Sequence, residues 1–175
     1  MATTYPCERV GLDFADSAPF RFVSTVDLPI TPEQLFEVLA DAQSWPQWAS
    51  VITKVVWTSP EPRGVGTTRT VSMRGNIVGE EEFLAWEPFS HMAFRFNNST
   101  SNAISAFAED YRVVPTAEGC HLTWVMAMTP SGLAGRLGMA IGKPIMGWMF
   151  QRFLHNLRRY VLREVVSTHP PTPNA

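Results

Sequence analysis

The sequence predicts an α+β fold in which an antiparallel, curved sheet of about seven strands wraps around one long C-terminal helix, with two short helices after the first strand. Three observations carry this. From Gln151 onward, Phe153, Leu154, Leu157, Tyr160, Val161 and Val165 fall on one side of a helical wheel and Arg152, His155, Asn156, Arg159 and Arg163 on the other, which marks a helix with one buried face. Between Phe20 and Pro130 the chain is a series of β-rich segments separated by short clusters of turn residues, as in an antiparallel meander. A strong helix start, Thr31-Pro32-Glu33-Gln34, follows the first of these segments.

Taken in order, residues 1–18 have no clear period and form a variable N-terminal arm ending at Ser17-Ala18-Pro19. The domain itself is expected over 19–167. Phe20 to Leu28 alternates as a first strand, and Leu35, Phe36, Val38 and Leu39 form the buried stripe of the helix that Thr31 caps. In Trp45-Pro46-Gln47-Trp48 the proline starts a second short helix and puts two indoles at i and i+3, a core plug first and a ligand contact second. Strands follow over 51–58, 67–78, 80–86, 92–96, 103–114 and 121–128, punctuated by Pro60 to Gly64, Glu87-Pro88, Asn97-Asn98 and Glu118-Gly119. The last helix runs from about Ser131 to Val166, with Met139, Met146 and Phe150 extending its buried face and Gly142 and Pro144 kinking it. Residues 168–175, with three prolines, are expected to be disordered.

One half of that helix breaks the pattern. Leu137, Ile141, Ile145 and Trp148 lie on the side that is polar further along. Either a kink at Pro144 resets the phase and makes them core, which is the plainer expectation, or they form an exposed patch for a membrane surface or a second subunit.

At 175 residues with a net charge of −2, the chain is long enough for one full core, and its charge argues against nucleic acid as a partner. Arg152, Arg158, Arg159 and Arg163 are the cations that a helix C-terminus favours. Cys7 and Cys120 form no redox or metal spacing and are expected as free thiols. With no signal-peptide pattern and no apolar run of spanning length, the expectation is a cytoplasmic protein, monomer or homodimer, without a transmembrane segment.

The motifs Ile30-Thr31-Pro32-Glu33-Gln34-Leu35-Phe36, Trp45-Pro46-Gln47-Trp48, Gly64-Val65-Gly66-Thr67, Trp86-Glu87-Pro88 and Gly119-Cys120-His121-Leu122-Thr123-Trp124, followed by the long helix, occur in the order and spacing of a known superfamily. From Phe20 to Glu164 the chain resembles the START-like superfamily (SRPBCC, or Bet v 1-like), in particular its bacterial polyketide cyclase/dehydrase and lipid-transport branch. The resemblance implies a helix-grip fold with an apolar cavity between sheet and helix. It leaves activity open, since similar folds carry lipids, bind small molecules, cyclise polyketides or serve as cochaperone and toxin modules. The first expectation is binding or transport of a hydrophobic or amphipathic small molecule, lipid or polyketide-like. A cofactor-independent cyclase/aromatase stands second, and a partner-binding regulatory module with a vestigial cavity third.

Strand alternation nominates the cavity face. Leu122, Trp124, Met126 and Met128 share one side of the last strand, and the adaptable side chains of Met73, Met126, Met128, Met139 and Met146 suit a variable apolar ligand. The expected ligand contacts are Trp45, Trp48, Met73, Glu81, Phe83, Phe94, Phe107, Glu109, Tyr111, Trp124, Met126, Met128, Met146 and Phe150. Glu81 alternates with Phe83, and Glu109 with Phe107 and Tyr111, so either carboxylate pointing inward would be desolvated. The plainer alternative is a solvent face, or cross-strand pairing with Arg74, Arg95 or Arg112, because Glu80-Glu81-Glu82 has the look of a solvated edge. If the protein is an enzyme, Glu109, Tyr111 and His91 are its candidate acid-base groups. His91, His121, His155 and His169 have no metal-ligand spacing, no Gly-rich loop follows a strand into a helix, and no nucleophile triad signature is present. Neither a metal nor a cofactor is expected.

Overall fold

A computed structural model describes residues 3–166; the proline-rich tail expected from Thr168 lies outside the described residues. The elements are β1 (Tyr5–Pro6), α1 (Phe14–Ser17), β2 (Phe20–Leu28), α2 (Pro32–Ala40), α3 (Trp45–Trp48), β3 (Ile52–Trp57), β4 (Thr68–Met73), β5 (Ile77–Glu87), β6 (His91–Ser99), β7 (Ile104–Thr116), β8 (Gly119–Pro130) and α4 (Gly132–Val161), closed by a π-helical turn, Leu162–Val166. The sheet order is β2-β8-β7-β6-β5-β4-β3, with β1 added to β6, and the pairings are antiparallel. Register shifts in the β3–β4, β5–β6 and β7–β8 pairs supply the local bends that curl this sheet. The curled face holds α4, so the fold is the α+β helix grip that the sequence predicts.

Local chemistry explains the elements. The Thr31 hydroxyl accepts from the Gln34 amide (3.3 Å) and the Gln34 side chain accepts from the Thr31 amide (3.0 Å), a complete capping box at the start of α2. The β4–β5 hairpin turns at Gly75 and Asn76, both at positive φ, rather than at the expected break near Gly79. Gly79 lies inside β5, where a Cβ would stand 2.6 Å from the Phe96 ring. The N-terminal arm first extends the sheet, the Cys7 amide donating to Asn97 O (2.9 Å) beside β6 with its side chain in the main core, and then crosses the outer face, where Val10 and Phe14 cover Ala106 and Ala108 of β7. Cys7 and Cys120 are both free and buried.

Helix α4 has two dissimilar halves. Its second half buries Phe150, Phe153, Leu154, Leu157 and Val161, with Phe150 edge-on to Phe22 at 5.1 Å. None of residues 132–149 is fully buried; Met139, Met146 and Met149 turn half-buried toward the sheet. On the opposite side Leu133, Leu137, Ile141, Ile145 and Trp148 are 59–81 % exposed. The expected phase reset therefore does not occur. The helix runs through Pro144 without interruption, so residues spaced by three and four on either side of it keep one outward line.

Candidate functional site

Between the curled sheet and α4 lies a cavity of about 270 Å³. Its walls come from every layer of the fold. Trp45 and Trp48 of α3 enter from one end, β7 and β8 contribute Phe107, Glu109, Tyr111, Trp124, Met126 and Met128, and α4 contributes Met139, Met146, Met149, Phe150 and Phe153. Met73 and Glu81 reach it from β4 and β5, and Phe96, Ser99, Ser101 and Ile104 from β6, β7 and the connection between them. The two indoles of α3 are thus both core and lining: each is no more than 2 % exposed, and their ring centroids are 4.9 Å apart.

Two carboxylates face this space, contrary to the plainer expectation that put them on a solvated surface. Glu81 sits directly across from Arg69 in the β4–β5 ladder, and the Arg69 Nε donates to Glu81 Oε2. Neither residue has more than 4 % exposure. The partner is none of the three arginines expected, since Arg74 donates to Ser50 O, Arg95 pairs with Glu82 and Arg112 with Asp110. The Arg69 guanidinium carbon lies 4.4 Å from the Trp45 ring centroid, 4.6 Å from Phe94 and 5.0 Å from Phe83, an aromatic cage that replaces water around the cation. Phe83 and Phe94 belong to this cage and do not line the cavity, which corrects their expected role. Burial pushes the Glu81 carboxyl above its ordinary range, and the adjacent Arg69 charge opposes that rise.

Glu109 has a different environment. Its Oε2 accepts from the Tyr111 hydroxyl and from Trp124 Nε1 (2.9 Å), while Oε1 has no hydrogen-bond partner among the described residues. Tyr111 stacks on Trp124 at 5.7 Å and on Phe94 at 5.9 Å, which fixes the hydroxyl beneath the carboxyl. Burial pushes the Glu109 carboxyl up to about 8; the Tyr111 hydrogen bond pulls against this and the Glu81 charge adds to it. Burial and the neighbouring Glu109 push the Tyr111 phenol well above its ordinary value. At neutral pH the carboxyl therefore mostly keeps its proton, and the unpartnered Oε1 is left to meet whatever occupies the cavity. Trp48 Nε1, on α3, is a second buried group without a protein partner among the described residues.

His91 does not reach the cavity. Its Nε2 lies 2.7 Å from Asp110 Oδ2 on the outer face of the sheet, because Asp110 alternates with Glu109 and points the other way. Arg112 donates to the other Asp110 oxygen at 2.9 Å. Among the described residues no group of three or more His, Cys, Asp or Glu side chains is placed to hold a metal ion. Arg69, Ser99, Ser101, Phe96 and Met149 were missed as site residues. For Arg69 a signal existed, since it alternates with Val71 and Met73 on an otherwise inward face.

An antiparallel sheet gripping a terminal helix over an apolar cavity with two buried carboxylates defines a helix-grip fold. The chain belongs to the polyketide cyclase/dehydrase and lipid transport family, whose model matches residues 19–162. It is 62 % identical over 156 residues to uncharacterized proteins of Mycobacterium tuberculosis and Mycobacterium bovis, covering 89 % of this chain and 93 % of each relative. Among solved structures, a Thermus thermophilus protein matches with a TM-score of 0.68 at 15 % identity, over 82 % of this chain and 97 % of that one. A START superfamily protein of Mycobacterium smegmatis matches at 0.61 and 11 % identity, over 85 % and 98 %. At such identities the two structures establish the fold alone. The family as described points to hydrophobic ligands, and no helix among the described residues is long and apolar enough to cross a membrane.

Proposed function

We propose that the protein binds a single hydrophobic or amphipathic small molecule, lipid or polyketide-like, between the sheet and α4, with its apolar part against the methionines and its polar end at Glu109. The observation that carries this is the makeup of the cavity wall: six methionines and eight aromatic side chains surround a space onto which Glu109 brings one carboxyl oxygen without a protein partner. Apolar walls with a few convergent polar groups are how small-molecule sites combine affinity with orientation. At about 270 Å³ the space is at the lower edge of the roughly 300–1,000 Å³ typical of such sites, which favours one chain or a compact ring system over a two-chain lipid. Native mass spectrometry of the protein purified from its own host is the test. A co-purifying apolar molecule that is lost from a Met126→Trp variant supports the proposal. A cavity that is always empty and takes up no apolar fluorescent probe sinks it and favours a partner-binding module instead.

A cyclase or aromatase remains the second reading, and the Glu109–Tyr111 pair is what favours it. A carboxyl that holds its proton near neutral pH beside a positioned phenol is a ready general acid toward a carbonyl oxygen. Under this reading Glu109→Gln leaves ligand affinity nearly intact and lowers turnover by about a hundredfold or more. Loss of affinity with no turnover in the parent protein assigns Glu109 to anchoring instead.

A further inference from the structure

The outward face of the first half of α4 has a composition that the cavity does not explain. Leu133, Leu137, Ile141, Ile145 and Trp148, each at least 59 % exposed, form one stripe about 22 Å long at 1.5 Å per residue. Contiguous apolar surface of this kind marks a contact site. The charge around it is one-sided. The helix carries Arg136, Lys143, Arg152, Arg158 and Arg159 and no Asp or Glu, in a chain whose net charge is −2. The helix dipole favours cations at the C-terminal end, which accounts for Arg158 and Arg159 but not for Arg152 beside the stripe, nor for Arg136 and Lys143, which sit about 120–140° round the helix from it. Past Trp148 the outward line continues as Arg152, His155 and Arg159, and the Arg152 guanidinium lies 5.5 Å over the Trp148 ring.

We propose that this face of α4 is a docking surface for an anionic phospholipid bilayer, the apolar stripe entering the acyl boundary and Arg152 and Arg159 at its end meeting the headgroup phosphates. An apolar stripe that passes into Arg152 and Arg159 on a helix without acids is the pattern of a helix that lies in the membrane interface. The same pattern disfavours a second copy of the chain. Two such faces in contact set Arg152 and Arg159 of each copy against a helix that carries no acid to neutralise them. The position of the surface also bears on the site. The reverse side of this half-helix carries Met139, Met146 and Met149 of the cavity wall and has no fully buried residue, so the roof of the cavity is the segment set against the bilayer. That last link rests on the proposed ligand binding; the docking itself does not.

The test is vesicle flotation of the full chain with phosphatidylcholine alone and with phosphatidylcholine containing phosphatidylglycerol. Binding is expected to the anionic vesicles, to weaken with added salt, and to fall at least about tenfold in Ile141→Ser/Ile145→Ser and in Arg152→Glu/Arg159→Glu. Val114→Ser, an exposed apolar residue on the outer face of β7, is the control and leaves binding unchanged. The thermal midpoints of all three variants stay near that of the parent, because none of these side chains is buried. Failure to float with anionic vesicles overturns the proposal, as does flotation that survives both double substitutions. So does self-association in sedimentation that Ile141→Ser/Ile145→Ser abolishes, which makes the stripe a subunit interface. Native mass spectrometry of the same variants keeps the two proposals separate, since cavity occupancy is unaffected by a failure of docking alone.

Discussion

Replacing Glu109 by Gln is expected to stabilise the protein, and to do so in a pH-dependent way that few other causes reproduce. The amide keeps the shape and an acceptor oxygen for Tyr111 and Trp124 but removes the ionisation. Below pH 4.5 Glu109 is protonated in the folded and the unfolded chain, and its titration contributes nothing. Between 4.5 and about 8 the unfolded chain releases the proton while the folded chain keeps it, so the stability of the parent falls as pH rises. Above about 8 the folded state ionises too and the loss is complete. At about 1.4 kcal/mol per pH unit, the parent has lost roughly 3 kcal/mol by pH 7 and roughly 5 kcal/mol above pH 9. Urea unfolding of parent and variant at pH 4, 7 and 9 measures the difference, with the pH 4 value removing any constant offset from burying the amide. For a chain of this size 3 kcal/mol corresponds to a rise of about 6–12 °C in thermal midpoint at pH 7. Parallel stability curves from pH 4 to 9 would show that Glu109 ionises freely in the folded state, and would remove the argument for a proton-holding carboxyl in the cavity.

Two further substitutions test the scaffold around the site. Arg69→Met strands the buried Glu81 carboxylate and is expected to cost about 3–5 kcal/mol in urea unfolding at pH 8, whereas Arg69→Met/Glu81→Leu returns to within about 2 kcal/mol of the parent; a mild effect of the single change would mean that solvent reaches Glu81. Gly79→Ala places a methyl group against the Phe96 ring and is expected to cost about 1–3 kcal/mol and to reduce probe uptake by the cavity that Phe96 lines, with unchanged stability and uptake counting against the close approach.

What the sequence could and could not disclose follows from one turn and one helix. The capping box at Thr31, the inward face of β8 and the buried face of α4 beyond Phe150 are local patterns, and each is present in the structure as the periodicities indicate. The Arg69–Glu81 pair is not local in this sense. It depends on where the β4–β5 hairpin turns, because the pairing of Met73 with Ile77 is what places Arg69 opposite Glu81. A turn near Gly79 destroys that register and leaves Glu81 as the middle of an acidic run, with Arg74, Arg95 and Arg112 as its candidate partners. Once the turn is at Gly75–Asn76, the run reads differently: Glu80 is exposed, Glu82 is half-buried against Arg95, and only Glu81 points inward. Glu109 is ambiguous for another reason, since its neighbour Asp110 is buried as well, held on the outer face by His91 and Arg112. A strand flanked on both faces, by the cavity and by polar partners near the N-terminal arm, has no alternation of burial to read. The outward stripe of α4 was visible as a pattern but not as an exposure, because only an unbroken helix through Pro144 keeps Ile145 and Trp148 in line with Leu137 and Ile141.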